Sequence, residues 1–133
     1  METNSGAAGP SRLTRWSGRI LSILVTLLMI MSGVMKILKP AVVVQGFTHL
    51  GYPEAQAVPL GILEIGCAVI YLLPGTSTLG AVLLTGYLGG ATATSVRVGD
   101  PWFAPVLVGV VAWAGLFLQE RRLRALLPFR LRP

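Results

Sequence analysis

The sequence has few charged residues and few of the side chains from which soluble active sites are usually assembled. Charged residues make up 12% of the 133-residue chain, which contains one histidine and one cysteine. The single cysteine, Cys67, permits no disulfide within the chain, and it excludes a paired-cysteine electron relay and a cysteine-built metal site. The sequence also lacks a nucleophile triad, a phosphate-binding loop and a pair of carboxylates with hydrolase spacing. These absences argue against the common classes of soluble enzyme.

Apolar residues dominate instead. Hydrophobic residues make up 53% of the chain, and its mean hydropathy is +0.72, values typical of a membrane protein. Four spans of about 20 residues each would use about 80 residues. The remainder is too short for a soluble catalytic domain, so any chemistry must occur in or beside the bilayer.

Four apolar runs predict an all-α fold, a polytopic membrane protein whose domain at 16–118 is a bundle of four transmembrane helices. The predicted spans are about 16–38, 55–73, 76–96 and 101–118. Pro74-Gly75 predicts a tight hairpin between the second and third spans, and Asp100-Pro101 predicts an N-cap followed by the first residue of the fourth helix.

Outside the spans, the sequence predicts a disordered tail at 1–15 and a basic tail at 119–133. A signal peptide is the competing interpretation of the first apolar run. Residues 31–38 contain no Ala-x-Ala-like cleavage site, which favours an uncleaved first span.

Basic residues predict the orientation of the four-span protein. Eight of them lie on the side of the two termini: Arg12, Arg15, Arg19, Arg121, Arg122, Arg124, Arg130 and Arg132. The other side has Lys36, Lys39 and Arg97, so the positive-inside rule places both termini in the cytoplasm, with the chain in the plasma membrane. The basic tail either only anchors this orientation or lies on the membrane surface. The excess of positive charge therefore indicates membrane lipid as a partner and not nucleic acid.

The connection between the first two spans predicts a short additional helix. Pro40 can begin it, and Val43, Phe47 and Leu50 share one apolar face. Gly51-Tyr52-Pro53 ends it with turn-forming residues. We expect this helix to lie on the outer membrane surface, where it either covers a pocket as a lid or serves as an inert connection.

Glu64 is the most unusual residue of the predicted spans. If the second helix enters the bilayer near Val58, Glu64 lies about six residues, or roughly 9 Å, inside it. A carboxylate at that depth requires a cationic partner or a proton. Lys36, Arg97 and His49 reach the same outer third of the bundle, which predicts a polar pocket that opens outward.

Six residues form the predicted ligand-binding set: Glu64, Lys36, Arg97, His49, Tyr71 and Thr94. Glu64 would accept a proton or bind a polar head group, while Lys36 or Arg97 would bind an anionic or carbonyl group. Tyr71 either extends this polar line or anchors its helix at the interface. The competing interpretation is a structural ion pair that holds three helices in register. His49 alone does not indicate a metal site, since such a site needs several ligands.

Small residues form two stripes on the third predicted span. They are spaced by four residues: Gly86, Gly90 and Thr94 in one stripe, and Thr85, Gly89 and Ala93 in the other. This spacing predicts close packing inside the bundle, with contact between two copies of the chain as the alternative. We therefore expect a compact bundle with little room for a water-filled pore.

Several motifs together resemble the DoxX-like family of small four-span membrane proteins. They are Ser32-Gly33-Val34-Met35-Lys36-Ile37, Gly46-Phe47-Thr48-His49-Leu50-Gly51-Tyr52-Pro53, Gly61-Ile62-Leu63-Glu64 and Leu84-Thr85-Gly86-Tyr87-Leu88-Gly89-Gly90-Ala91. The resemblance covers about 21–118. It implies the four-span fold and a relation to the membrane subunit of a thiosulfate:quinone oxidoreductase, from which the family takes its name. It identifies no catalytic residue.

Two functions are compatible with the sequence. The first is a quinone-linked or lipophilic-molecule-binding membrane redox subunit, in which the outer pocket binds a head group; the resemblance implies a quinone as the candidate cofactor and a redox subunit or a second copy as the candidate partner. The second is a scaffold that assembles other proteins and has no small-molecule site. Whether the chain is an enzyme does not follow from the sequence.

Overall fold

The structure is a computed structural model that describes residues 11–126, and within that range it contains helices and no strand. Six α-helices follow one another: α1 (Arg12–Leu38), α2 (Ala41–Leu50), α3 (Ala57–Leu72), α4 (Ser77–Val98), α5 (Phe103–Gln119) and α6 (Arg121–Leu126). A single 3-10 turn, Glu54–Gln56, leads directly into α3. The predicted all-α class is confirmed.

The long helices have the length and the surface of membrane helices. Within residues 11–126, three segments are long and apolar enough to cross a bilayer: Arg12–Leu38, Glu54–Leu72 and Ser77–Val98. The apolar helix α5 is shorter, at 17 residues. Large hydrophobic side chains point away from the bundle, and Leu27, Ile62, Leu79 and Val110 are each more than half exposed. Such a surface suits lipid and not water, so the chain is a helical membrane protein.

The four longest helices form a closed ring. α1 and α4 each pack against both α3 and α5. The core between them is built from buried side chains of all four helices, including Val25, Met29, Ala68, Leu84 and Ala112. α2 lies outside this ring, and its main helical neighbour is α4.

Glycines set the closest helix contacts. A Cβ atom on Gly61 of α3 would lie 2.6 Å from the carbonyl oxygen of Gly33 of α1, and one on Gly33 would lie 2.9 Å from that of Gly61. A second close contact joins α1 to α5, where a Cβ atom on Gly18 would lie 2.7 Å from the carbonyl oxygen of Gly115. Only residues without side chains allow two backbones to approach so closely.

The glycine stripes on α4 do not behave as predicted. A Cβ atom on Gly86, Gly89 or Gly90 would meet no atom within 4 Å, so the prediction of close packing inside the bundle is wrong for these residues. The packed face of α4 instead carries Gly80, whose Cβ atom would lie 2.2 Å from the backbone of Tyr71, and the buried Leu84. A spacing of four residues identifies a face with small side chains but does not show whether another helix covers it.

The N-terminal boundary differs from the sequence prediction. α1 begins at Arg12 because Ser11 caps it, with its Oγ accepting a hydrogen bond from the Thr14 backbone N at 3.2 Å. Residues 12–15, predicted to be part of a disordered tail, are therefore helical. The rest of that predicted tail, 1–10, lies outside the described residues.

α5 begins two residues later than predicted, and Asp100 does not cap it. The residue at the cap position is Trp102, which makes no side-chain cap hydrogen bond. Both carboxylate oxygens of Asp100 lie 3.0 Å from His49 Nε2 instead. The carboxylate therefore binds the end of α2 and not the start of α5.

Part of the predicted basic tail folds back on the bundle. Leu123 of α6 is buried, and Arg124 donates hydrogen bonds to the backbone carbonyls of Phe117 and Leu118 at 2.8 and 3.0 Å. These contacts satisfy carbonyl groups at the end of α5 that have no partner within their own helix. Residues 127–133 of the tail lie outside the described part of the chain.

The glycine contacts lead to a stability prediction. Gly61→Ala should lower the free energy of unfolding by about 1 to 3 kcal/mol, because its methyl group overlaps the backbone of Gly33. Gly90→Ala is the matched control; with open space around it, it should leave stability unchanged or raise it by up to about 1 kcal/mol through helix propensity. Unfolding in mixed detergent micelles measures both. Equal effects of the two substitutions would contradict the close backbone contact between α1 and α3.

Candidate functional site

An ion pair joins α1 to α3 on the inside of the bundle. Glu64 of α3 is 2% exposed, and its Oε2 lies 2.6 Å from Lys36 Nζ of α1. The same ammonium donates to Ser32 Oγ at 2.7 Å, and the Tyr87 hydroxyl of α4 donates to Glu64 Oε2 at 3.1 Å. One carboxylate thus connects three helices.

Local sequence explains why the two charges meet. Gly33 and Gly61 each lie three residues before the charged residue of their helix, so the close backbone contact and the ion pair share one face of each helix. The contact reaches Lys36 itself, because a Cβ atom on Gly61 would lie 3.1 Å from Lys36 Cβ. A larger residue at either glycine would separate the helices and pull the ammonium away from the carboxylate.

The hydrogen bonds of the Lys36–Glu64 pair do not use all of its donors and acceptors. The side chains of Lys36 and Glu64 are 20% and 3% exposed, so their attraction acts in surroundings of low polarity. Both hydrogen bonds to the carboxylate go to Oε2, and within residues 11–126 Oε1 accepts none. A lysine ammonium has three donors, of which Ser32 and Glu64 take two. One donor and one acceptor are therefore available to a ligand.

A pocket of about 570 Å³ opens beside this pair. Its walls come from α1, α3, α4 and α5 and are largely apolar, with Met29, Leu60, Leu88 and Val108 among them. Lys36, Glu64 and Tyr87 form the main polar region of the wall. On α4, Gly86 and Gly90 line the pocket, and their missing side chains leave the space open.

The helix α2 covers one side of the pocket. Phe47 and Leu50 of α2 contribute to its lining. The Arg97 guanidinium at the end of α4 donates a hydrogen bond to the Leu50 carbonyl and lies 5.9 Å from the centre of the Tyr52 ring. The Tyr52 and Thr94 hydroxyls are 3.2 Å apart. These contacts fasten the C-terminal end of α2 to α4 and make it a cover for the pocket.

The six predicted ligand-binding residues fall into three groups. Lys36, Glu64 and Thr94 line the pocket, and their ligand-binding role stays a prediction. Arg97 and His49 hold the end of α2, the first through the Leu50 carbonyl and the second through Asp100. The alternative of Arg97 as the partner of Glu64 is wrong, because the Lys36 ammonium occupies that position.

Tyr71, the remaining predicted residue, does not line the Glu64 pocket. It is 1% exposed, and its hydroxyl donates to the Ala112 carbonyl at 2.7 Å and lies 2.9 Å from Ser22 Oγ. Although it lies on the same face of α3 as Glu64, two helical turns place it toward the other end of the bundle. Its predicted roles, extension of the polar line or interfacial anchor, stay predictions.

Tyr87 is the site residue that the sequence prediction missed. It lies seven residues before Thr94, and this spacing puts both residues on one face of α4. That spacing is a usable signal, but a tyrosine in an apolar helix is more often interpreted as a packing residue.

For metal binding, no group of three or more His, Cys, Asp or Glu side chains comes together in residues 11–126.

The buried pair leads to a test by a double-mutant cycle. Lys36→Met and Glu64→Gln should show a coupling energy of about 1 to 3 kcal/mol in detergent unfolding, because either change alone leaves a buried charge without its partner. Lys39 and Glu54 form the matched control, with Nζ and Oε1 3.8 Å apart and side chains 37% and 57% exposed. Their coupling should be about 0.5 kcal/mol or less. Equal coupling in both cycles would contradict a special role for the Glu64 pair.

Comparison with known proteins gives one match. The family model described as the DoxX-like family matches residues 20–116, a segment that contains Lys36, Glu64 and Tyr87 and both glycines of the α1–α3 contact. No curated protein and no solved structure matches the chain. Because the family model covers most of the sequence and every helix that lines the pocket, the chain belongs to the DoxX-like family.

Proposed function

We propose that the protein is a membrane subunit that binds a lipophilic small molecule, with a quinone as the favoured class, in the pocket beside Glu64. The observation that carries this proposal is the junction of a largely apolar cavity of about 570 Å³ with a buried ion pair that retains a free donor and a free acceptor. Sites for small molecules commonly combine apolar walls with a few convergent polar groups.

The residues present fit the head group of a quinone. The third donor of the Lys36 ammonium suits a carbonyl oxygen, and Glu64 Oε1 suits the hydroxyl of the reduced form. The Thr94 hydroxyl, also in the lining, offers a further polar contact. Met29, Leu60 and Val108 suit the ring and the start of an apolar tail. In this proposal the pocket holds the head group, and a redox partner subunit exchanges the electrons.

The proposal places four helices across the plasma membrane, with both termini in the cytoplasm and the Glu64 pocket in the outer half of the bilayer. The 17 residues of α5 span roughly 25 Å at about 1.5 Å per residue, somewhat less than the apolar thickness of about 30 Å. Its packing along both α1 and α4 supports a fourth span despite this length. α2 would then lie at the outer surface.

A structural or scaffold function is the second candidate. Its support is that Glu64 and Lys36 already satisfy one another's charge without a ligand, as a pair that only fixes helix register would do. In that case the pocket would hold only bulk lipid tails, and the functional surface would lie elsewhere on the protein.

Pocket occupancy can be tested by a substitution that fills the cavity. Gly90 lines the pocket and has open space around its Cβ position, so Gly90→Leu should fold normally and occupy the ligand volume. Gly89→Leu is the matched control, because Gly89 is adjacent in sequence and also has open space around its Cβ position but does not line the pocket. Mass spectrometry of molecules extracted from the purified proteins is the measurement.

We expect wild type and Gly89→Leu to retain the same lipophilic compound, and Gly90→Leu to retain at least about tenfold less of it, since a filled pocket loses most of its contacts with the ligand. A retained quinone supports the redox assignment, while any other specific compound overturns the quinone and keeps the binding function. Identical extracts from all three proteins would favour the scaffold function.

Topology requires a separate test. In a Cys67→Ala background, a membrane-impermeant thiol reagent should label Gln45→Cys in α2 on intact cells and leave Arg122→Cys in α6 unlabelled until the cells are opened. Both side chains are exposed, so access is decided by the membrane and not by burial. The opposite pattern would reverse the orientation, and labelling of both positions would contradict an even number of spans.

A further inference from the structure

A second and larger cavity lies at the other end of the bundle. Its volume is about 750 Å³. The first turns of α1, the α3–α4 hairpin and the end of α5 enclose it, and its apolar lining includes Trp16, Ile23, Leu72 and Leu116. None of these residues belongs to the pocket beside Glu64, so the two cavities are separate.

Three arginines give this cavity its charge. Arg12, Arg15 and Arg19 of α1 all line it, and their spacing of three and four residues puts them on one helical face. Within residues 11–126, no ion pair involves any of the three. Glu120 is the one acidic residue in the lining, and it does not pair with them. Among the described residues, the cavity lining therefore has an excess of positive charge, and its guanidinium groups have no anionic partner.

The floor of the cavity is polar but fully used by the protein. The Gln119 amide donates to Ser22 Oγ at 2.7 Å, and Ser22 Oγ lies 2.9 Å from the Tyr71 hydroxyl, which donates to the Ala112 carbonyl at 2.7 Å. Since the single hydroxyl proton of Tyr71 goes to Ala112, the Ser22 hydroxyl must donate to Tyr71. These hydrogen bonds join the floor residues to one another, so the arginines are the groups of the lining that can bind an anionic ligand.

We propose that this cavity is a specific site for an anionic phospholipid of the adjacent leaflet, whose phosphate binds between Arg12, Arg15 and Arg19. Guanidinium groups recognise phosphate through paired N–H donors, and basic pockets between membrane helices bind anionic head groups. Ile23 and Leu72 line the cavity and are 41% and 46% exposed. They provide an apolar path along which acyl chains leave the cavity and enter the bilayer.

The site explains a feature that the positive-inside rule alone does not. Orientation requires positive charge near the end of a span but does not require a cavity beside it. Arg121 and Arg122 of α6 belong to the same end of the chain, yet neither lines the cavity. The arginines at this end of the chain therefore form two groups, those that line the cavity and those that do not. Only Arg12, Arg15 and Arg19, which line it, should select among lipids.

The experiment compares lipid binding by the full-length protein in detergent with phosphatidylglycerol and phosphatidylcholine. Native mass spectrometry counts bound lipids for wild type, Arg15→Gln/Arg19→Gln and Arg122→Gln. The exposed Arg122 is the control for loss of charge outside the cavity. Arg15→Lys/Arg19→Lys keeps the charge, and with it the signal for membrane insertion, so it separates binding from misfolding. Excess inorganic phosphate is added as a competitor in a further arm.

We expect one tightly held phosphatidylglycerol on wild type, preferred over phosphatidylcholine. In Arg15→Gln/Arg19→Gln, each lost arginine should reduce this preference about fivefold. Arg122→Gln should leave the preference unchanged, and Arg15→Lys/Arg19→Lys should retain most of it. Gly90→Leu, which fills the other pocket, should also leave it unchanged, so failure here is distinct from failure of the proposed function. The proposal is overturned by equal loss in Arg122→Gln, by loss in the lysine variant as large as in the glutamine variant, or by displacement of the lipid by inorganic phosphate.

Discussion

The placement of a carboxylate inside an apolar bundle is the constraint on which the rest of this structure depends. A charge at the position of Glu64 is stable only with a partner, and the partner must come from another helix. Lys36 reaches it because Gly33 and Gly61 let α1 and α3 approach to backbone contact one turn away. The close backbone contact between α1 and α3 and the ion pair of Lys36 with Glu64 are therefore parts of one arrangement, and neither can be changed without the other.

Glycines serve two opposite purposes around this pair. Between α1 and α3 they remove side chains so that helices touch, and on α4 Gly86 and Gly90 remove side chains so that a cavity remains. The difference arises from what lies opposite: α1 presents a backbone to Gly61, whereas α4 presents its glycines to open space under α2. A cavity can thus be produced in a small bundle without long loops, by leaving residues small where the cover is a separate short helix.

The helices and the isolated Glu64 can be predicted from the sequence because they depend on local patterns. The apolar runs, Pro74-Gly75 and Glu64 all act through chain segments of a few turns. Features that depend on the facing helix cannot be predicted in this way: neither the surroundings of the stripe containing Gly90 nor the choice of Lys36 over Arg97 follows from one helix alone. Asp100 shows the same limit, since its favourable capping position is lost to His49, a residue 51 positions away in the chain.

The two polar clusters of the bundle are separated by a layer made mainly of apolar side chains, in which the buried Thr26 hydroxyl is bonded to the Ser22 carbonyl. Glu64 and Tyr71 lie on one face of α3, roughly 10 Å apart along its axis at about 1.5 Å per residue. Between them Cys67 and Ala68 are buried against the core, together with Val25, Met29, Leu84 and Ala112 from the other helices. Water and ions would have to cross this packed layer to pass from one cavity to the other. They would lose their hydration there, because Cys67 and Ala68 offer no strong hydrogen-bonding group in its place. The two cavities therefore have separate linings at opposite ends of the bundle, so a substitution in one can be made without altering the walls of the other.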